Sequence, residues 1–94
     1  MNQSILFSDN EVYNVDLQQI AFQAQCEGRL ITCVISVEAL YKLNELVPPI
    51  HNVLVQDEIL ALFESVRFDI EDLAEQMIAA QCFHSDGKVY LQKA

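Results

Sequence analysis

The stretch from Ile20 to Ser36, IAFQAQCEGRLITCVIS, constrains the fold of this chain more than any other. Apolar residues alternate on both sides of Glu27-Gly28: Ile20, Phe22, Ala24 and Cys26 before it, Ile31, Cys33 and Ile35 after it. Period two with β-branched and aromatic residues marks a half-buried strand. Gly28 takes the positive φ that a tight hairpin turn requires. A two-residue loop at Glu27-Gly28 sets Cys26 opposite Arg29, Ala24 opposite Ile31, Phe22 opposite Cys33 and Ile20 opposite Ile35. A slip of one residue would scramble that apolar face, so the register is well specified. The other face carries Gln23, Gln25 and Thr32 together with Ala21, Leu30 and Val34.

The hairpin also bears on the cysteines. In this register Cys26 and Cys33 lie four residues apart along the ladder, roughly 13 Å at ~3.3 Å per residue. A disulfide needs Cα atoms within ~7 Å. The expectation is three free thiols, Cys26 and Cys33 in the core, and Cys82 packed as well.

Around the hairpin, Ser4 to Phe7 reads as a first strand and Val12 to Asp16 as a second short strand or ordered loop, with Tyr13 packing under a surface hydroxyl. Ser36 is a good N-cap for a helix beginning VEALYKL, since its hydroxyl accepts from a free N–H of the first turn. That helix ends before Pro48-Pro49, and Pro49 suits the first position of the next. No Gly or Pro interrupts Ile50 to Phe68, yet Ile50, Val53 and Leu54 face one way and Ile59, Leu62, Phe63 and Val66 nearly the opposite way. Two explanations stand: a break near Gln56-Asp57-Glu58, or one continuous helix buried on two sides, which implies a homodimer. Asp69 is expected to cap a further helix, with Asp72 completing a capping box, and Ile70, Leu73, Ala74, Met77 and Ile78 recur at helical spacing to about Gln81. Asp86-Gly87 signals a type I′ turn before a last strand, Lys88 to Gln92.

Several of these segments together resemble a known family. They are the opening ILFSD, the strand ending AFQAQCEG, the strand-to-helix step RLITCVISVEAL, the helix pair LALFESVRFDIEDLAE and the closing SDGKVYL. The chain is similar over nearly its whole length to the small bacterial family of domain of unknown function 1488. The resemblance implies an α+β domain of the bacterial cytoplasm. It implies no activity and carries no catalytic residues to transfer.

No constellation in the sequence supports catalysis. Cys82-x-His84 is the one thiol–imidazole pair close in sequence, but Cys82 lies at a helix C-terminus, where the dipole disfavours a thiolate. The spacings among Cys26, Cys33, His51, Cys82 and His84 match no zinc pattern. No glycine-rich phosphate loop exists, and no cofactor is expected.

Charge is more informative. The chain of 94 residues has 14 acidic and 5 basic side chains, a net charge of −9. That balance opposes binding to nucleic-acid phosphates or an anionic membrane. No apolar run reaches the ~18–20 residues that span a bilayer, and MNQSILFSDN lacks the basic start and apolar core of a signal peptide. A cytoplasmic location is the expectation. The acidic residues concentrate on the helices, where Asp57, Glu58, Glu64, Glu71, Asp72 and Glu75 form a candidate docking face for a basic protein partner.

The expected fold is α+β in two layers, a single domain over residues 1–94. An antiparallel sheet of N-terminal strands plus the C-terminal strand carries two to three helices on one face, in the order β-β-β-α-α-α-β. The expected function is a non-enzymatic interaction or accessory domain with an acidic helical face, and a homodimer if the middle helix is continuous. The alternative is a small-molecule binder or minor enzyme with a pocket between sheet and helices, Tyr13, Cys33, Cys82 or His84 standing at its mouth.

Overall fold

In a computed structural model, which describes residues 5–8, 10–45 and 56–91, the elements run β1 (Ile5–Phe7), β2 (Val12–Asn14), β3 (Gln19–Cys26), β4 (Arg29–Ser36), α1 (Val37–Leu43), α2 (Gln56–Ser65), α3 (Arg67–Ala79) and β5 (Val89–Leu91). The hairpin forms in the expected register, Cys26 opposite Arg29 through Ile20 opposite Ile35. Glu27 and Gly28 both have positive φ, 53° and 81°, the pairing a type I′ turn demands.

β3 has β4 on one flank. On the other flank β1 pairs with its residues 24–26 and β2 with its residues 19–21, so the two short strands act as one interrupted strand. Between them the Ser8 N–H still donates to the Gln23 carbonyl at 3.2 Å. β5 lies on the far side of β4 and pairs with it in parallel. The sheet is therefore mixed, where a purely antiparallel one was expected. The reason is connectivity: three helices separate β4 from β5, and a crossover of that length lets the chain return in the same direction.

Ser36 caps α1 as expected. The Ala39 N–H donates to its Oγ at 3.0 Å, a contact worth ~1 kcal/mol. At the other end Asn44 Nδ2 donates to the Leu40 carbonyl, and Asn44 Oδ1 accepts from Ser65 Oγ at 2.9 Å, tying α1 to the end of α2. The expectations for Ser4, for Pro48-Pro49 and for Ile50 to Val55, including the continuity of the middle helix before Gln56, lie outside the described residues.

Two helix boundaries differ from expectation. α2 stops at Ser65 rather than at Arg67-Phe68, and α3 starts at Arg67, so Asp69 is not its cap. Val66 alone joins the helices, and the Ile70 N–H closes the first turn of α3 on the Val66 carbonyl at 3.0 Å. Asp72 accepts from Gln76 instead of closing a capping box. The apolar stripe Ile59, Phe63, Val66, Ile70, Ala74 keeps helical spacing through the join. A straight helix from Gln56 to Ala79 would be roughly 36 Å long, whereas β3 and β4 span roughly 26 Å. Folding at Val66 lets both halves lie on the sheet.

The Asp86-Gly87 turn also differs. Only Gly87 has positive φ, so the turn is not type I′, and residues 82–84 form no partner strand. Asp86 holds it instead, accepting from the Lys88 N–H and from Tyr90 Oη.

All three helices cover one side of the sheet. Its inward residues Ile20, Phe22, Cys33, Ile35, Val89 and Leu91 are buried against Leu40, Ile59, Phe63, Ile70 and Ala74. Phe63 meets Phe22 edge-on at 5.4 Å. Burying each side chain of this size contributes ~1.5–3 kcal/mol.

Candidate functional site

α2 and α3 present their buried sides to the sheet and their polar sides outward. On α2, Asp57, Glu58 and Glu64 are exposed, opposite the buried Ile59 and Phe63. On α3, Asp72 and Glu75 are exposed, while Glu71 is half-buried. Asp69 is exposed in the first turn, where the helix dipole favours it.

The structure divides these residues into two sets, and Arg67 makes the division. Its Nε donates to Glu64 at 2.7 Å, Nη1 to Glu71 at 3.4 Å and Nη2 to Glu11 at 2.7 Å. The guanidinium also lies over the Phe63 ring, 5.2 Å from its centroid. Burial alone would lower the Arg67 pKa, but the hydrogen bonds it donates to Glu11 and Glu64, and their charges, outweigh it and hold the group protonated. Glu64 and Glu71 are therefore turned partly inward to a cation. Asp57, Glu58, Asp69, Asp72 and Glu75 make no ion pair among the described residues. Glu58 is close enough to Tyr41 to raise its phenol pKa further, after burial, which is the larger cause.

Sequence reasoning missed Phe68, which it placed at a helix end. Phe68 lies within the first turn of α3 and is 84% exposed. Asp72 and Glu75 follow it at i+4 and i+7, so the three share one helix face. The missed signal was the stripe itself: Phe68 falls outside the spacing of Ile70, Ala74 and Ile78.

The residues proposed for a pocket mouth do not converge. Cys33 is fully buried, and burial pushes its thiol up to about 12. Tyr13 packs on the core at β2. Cys82 is exposed, contrary to the packed cysteine expected. Gln81, at φ 57°, ends α3 in a left-handed turn, with the Cys82 N–H reaching back to the Met77 carbonyl, and the next residue, Phe83, packs against the core while Cys82 stays exposed. A cleft of about 370 Å³ does open between the hairpin turn and the end of α3. Its walls are Cys26, Glu27, Arg29, Ile31, Ile78, Gln81 and Phe83, none of them anticipated.

His84 contacts Tyr90 edge-on at 5.1 Å and places Nδ1 3.6 Å from Asp86. Ser85 Oγ lies 3.4 Å from the same Nδ1. A Ser–His–Asp relay needs its serine and its carboxylate on different ring nitrogens, so this group holds a turn. Among the described residues no three His, Cys, Asp or Glu side chains stand together as a metal site. Among them, too, no helix is long and apolar enough to cross a membrane.

Comparison with known proteins agrees with the architecture. A family model described as "Protein of unknown function (DUF1488)" matches residues 5–91. The chain is 34% identical over 92 residues to the uncharacterized protein YrdB of Escherichia coli (strain K12), covering 97% of this chain and 99% of that protein. It is 33% identical, over the same shares, to the uncharacterized protein YrdB of Shigella flexneri. A crystal structure of a protein of unknown function from the DUF1488 family, from Shewanella loihica PV-4, superposes with a TM-score of 0.86 at 34% identity, covering 99% of this chain and 97% of that one.

Proposed function

We propose, from the premise that this chain belongs to the DUF1488 family, that it is a non-enzymatic accessory domain of the bacterial cytoplasm. It docks a basic protein partner through the exposed face of α2 and α3, and it works as a homodimer. The observation that carries the docking reading is the state of Arg67. It is the one basic residue between Asp57 and Glu75, and Glu11, Glu64 and Glu71 already engage it. The remaining carboxylates offer uncompensated negative charge, which steers a basic surface and loses strength in salt. Phe68 supplies an aromatic anchor at the rim of that charge, the residue class that dominates interface energetics. The net charge of −9 opposes nucleic acid and anionic membrane as alternatives. Cysteines without disulfides suit a reducing compartment, as the exposed thiol of Cys82 does.

The test compares capture by the wild-type chain with capture by Asp72→Lys/Glu75→Lys and by Phe68→Ala. Proteins retained by the wild type at ~0.1 M salt should be released by ~0.5 M salt, and both variants should fail to hold them. A partner held equally by all three, or unchanged through that salt range, would overturn the docking face.

A further inference from the structure

The end of the hairpin and the end of α3 meet at a cleft that the acidic docking face does not use. Cys26 and Arg29 are opposite one another in the β3–β4 register, so both lie on the side of the sheet that the helices cover. The floor there is apolar. Cys26, Ile31 and Ile78 are buried, and Phe83 packs on the same core. Glu27, Arg29 and Gln81 stand exposed around that floor. The cleft measures about 370 Å³, within the ~300–1,000 Å³ of small-molecule sites, and an apolar floor under a few polar groups is their usual construction.

The charges at its rim are unspent. Lys42 and Arg67 each hold a carboxylate. Arg29 rests instead on an aromatic ring, 5.8 Å from the Phe83 centroid. Among the described residues no ion pair engages Arg29 or Glu27. A guanidinium held over a ring still presents N–H donors at its edge, which match a planar carboxylate. Opposite charge comes from two sources. One is Glu27, and the other is the end of α3 at Ile78 to Gln81, where the helix dipole is negative.

We propose that this cleft binds a free α-amino acid with an apolar side chain. Its carboxylate meets Arg29, its ammonium meets Glu27 and the end of α3, and its side chain lies on Ile31, Ile78 and Phe83. The charge of the chain selects a zwitterion. A plain acid approaches against a net charge of −9, whereas a molecule with both charges has no net charge to repel. A plain amine is drawn by the same field but leaves Arg29 unmatched. A peptide carries its terminal charges on different residues, so only a free amino acid offers both to Glu27 and Arg29, which flank Gly28. The cleft lies apart from the carboxylates of α2 and α3, and neither site requires the other.

Two-dimensional NMR of the isotope-labelled full chain, titrated with L-leucine, tests the inference. Resonances of Ile31, Ile78 and Phe83 should shift saturably, with a Kd of about 1 mM or tighter. Arg29→Gln and Glu27→Gln, both at exposed positions, should each raise that Kd about tenfold and leave the rest of the spectrum in place. N-acetyl-L-leucine and L-leucinamide each lack one of the two charges. On the wild-type chain, with no substitution to disturb folding, each should bind about tenfold more weakly than L-leucine. Glycine, which has no apolar body, should leave Ile31 and Ile78 unshifted. The absence of saturable shifts at the cleft would overturn the site. N-acetyl-L-leucine or L-leucinamide bound as tightly as L-leucine would overturn the zwitterion, and glycine bound as tightly would overturn the apolar selection.

Discussion

Arg67 Nη2 stands 2.7 Å from Glu11 Oε1, and the two residues are 56 positions apart in the chain. Both side chains are nearly buried, at 13% and 14% exposure. The pair fastens the first turn of α3 to the link between β1 and β2, so the acidic helical face and the outer strands of the sheet are held in one frame.

Breaking that pair strands a nearly buried charge. Arg67→Ala or Glu11→Ala should each destabilise the domain by about 2–4 kcal/mol, a large share of the roughly 5–14 kcal/mol expected for a domain of this size. The double variant Glu11→Ala/Arg67→Ala should cost less than the two single changes together. Chemical denaturation of the four proteins gives the coupling. Strict additivity would show that the pair is not a joint.

The three thiols should separate by reactivity. Iodoacetamide at pH 8 should modify Cys82 in the native protein and leave Cys33 intact, because burial holds that thiol up to about 12. Cys26, also buried, should follow Cys33. Mass spectrometry should find one modified site in the native chain and three in denaturant. Rapid native modification of Cys33 would contradict the packed inner face of β4.

The Asp86–Tyr90 bond should give the C-terminal turn a definite pH window. Tyr90 Oη, then the Lys88 N–H, hold the Asp86 carboxylate below its ordinary value of 3.8, and the bond to Asp86 raises the Tyr90 phenol above 10.0. A depressed carboxylate contributes stability above its unfolded pKa, lost as pH falls through the folded value. A raised phenol contributes below its unfolded pKa, lost as pH rises through the folded value. The bond is thus fully present between those ordinary values. Resonances of Val89 to Leu91 should shift only outside that window, and Asp86→Asn should abolish the acid-side transition.

Among the described residues four non-glycine residues occupy the left-handed region, Gln18, Glu27, Glu45 and Gln81, each at a turn or helix end. Glu27 has φ 53° at the hairpin, and Gln81 has φ 57° after α3. Glu27→Asn and Gln81→Gly should each stabilise the domain by about 0.5–1 kcal/mol, since Asn and Gly occupy that region at lower cost. A melting temperature lowered by either change would mean that the replaced side chain makes a compensating contact.

Local pattern made the hairpin, the Ser36 cap and the inward set from Ile20 to Ile35 legible in advance. A two-residue period and a cap act over neighbouring residues, so the chain alone determines them. It also determined the concentration of carboxylates between Asp57 and Glu75. The parallel pairing of β5, the fold at Val66, the capture of Glu64 and Glu71 by Arg67, and the exposure of Phe68 and Cys82 were decided only by tertiary structure. Each depends on the length of the sheet beneath the helices, or on a residue as distant as Glu11. An amphipathic pattern states which side of an element is buried. What that side is buried against, and which carboxylates remain free, is decided when the layers meet.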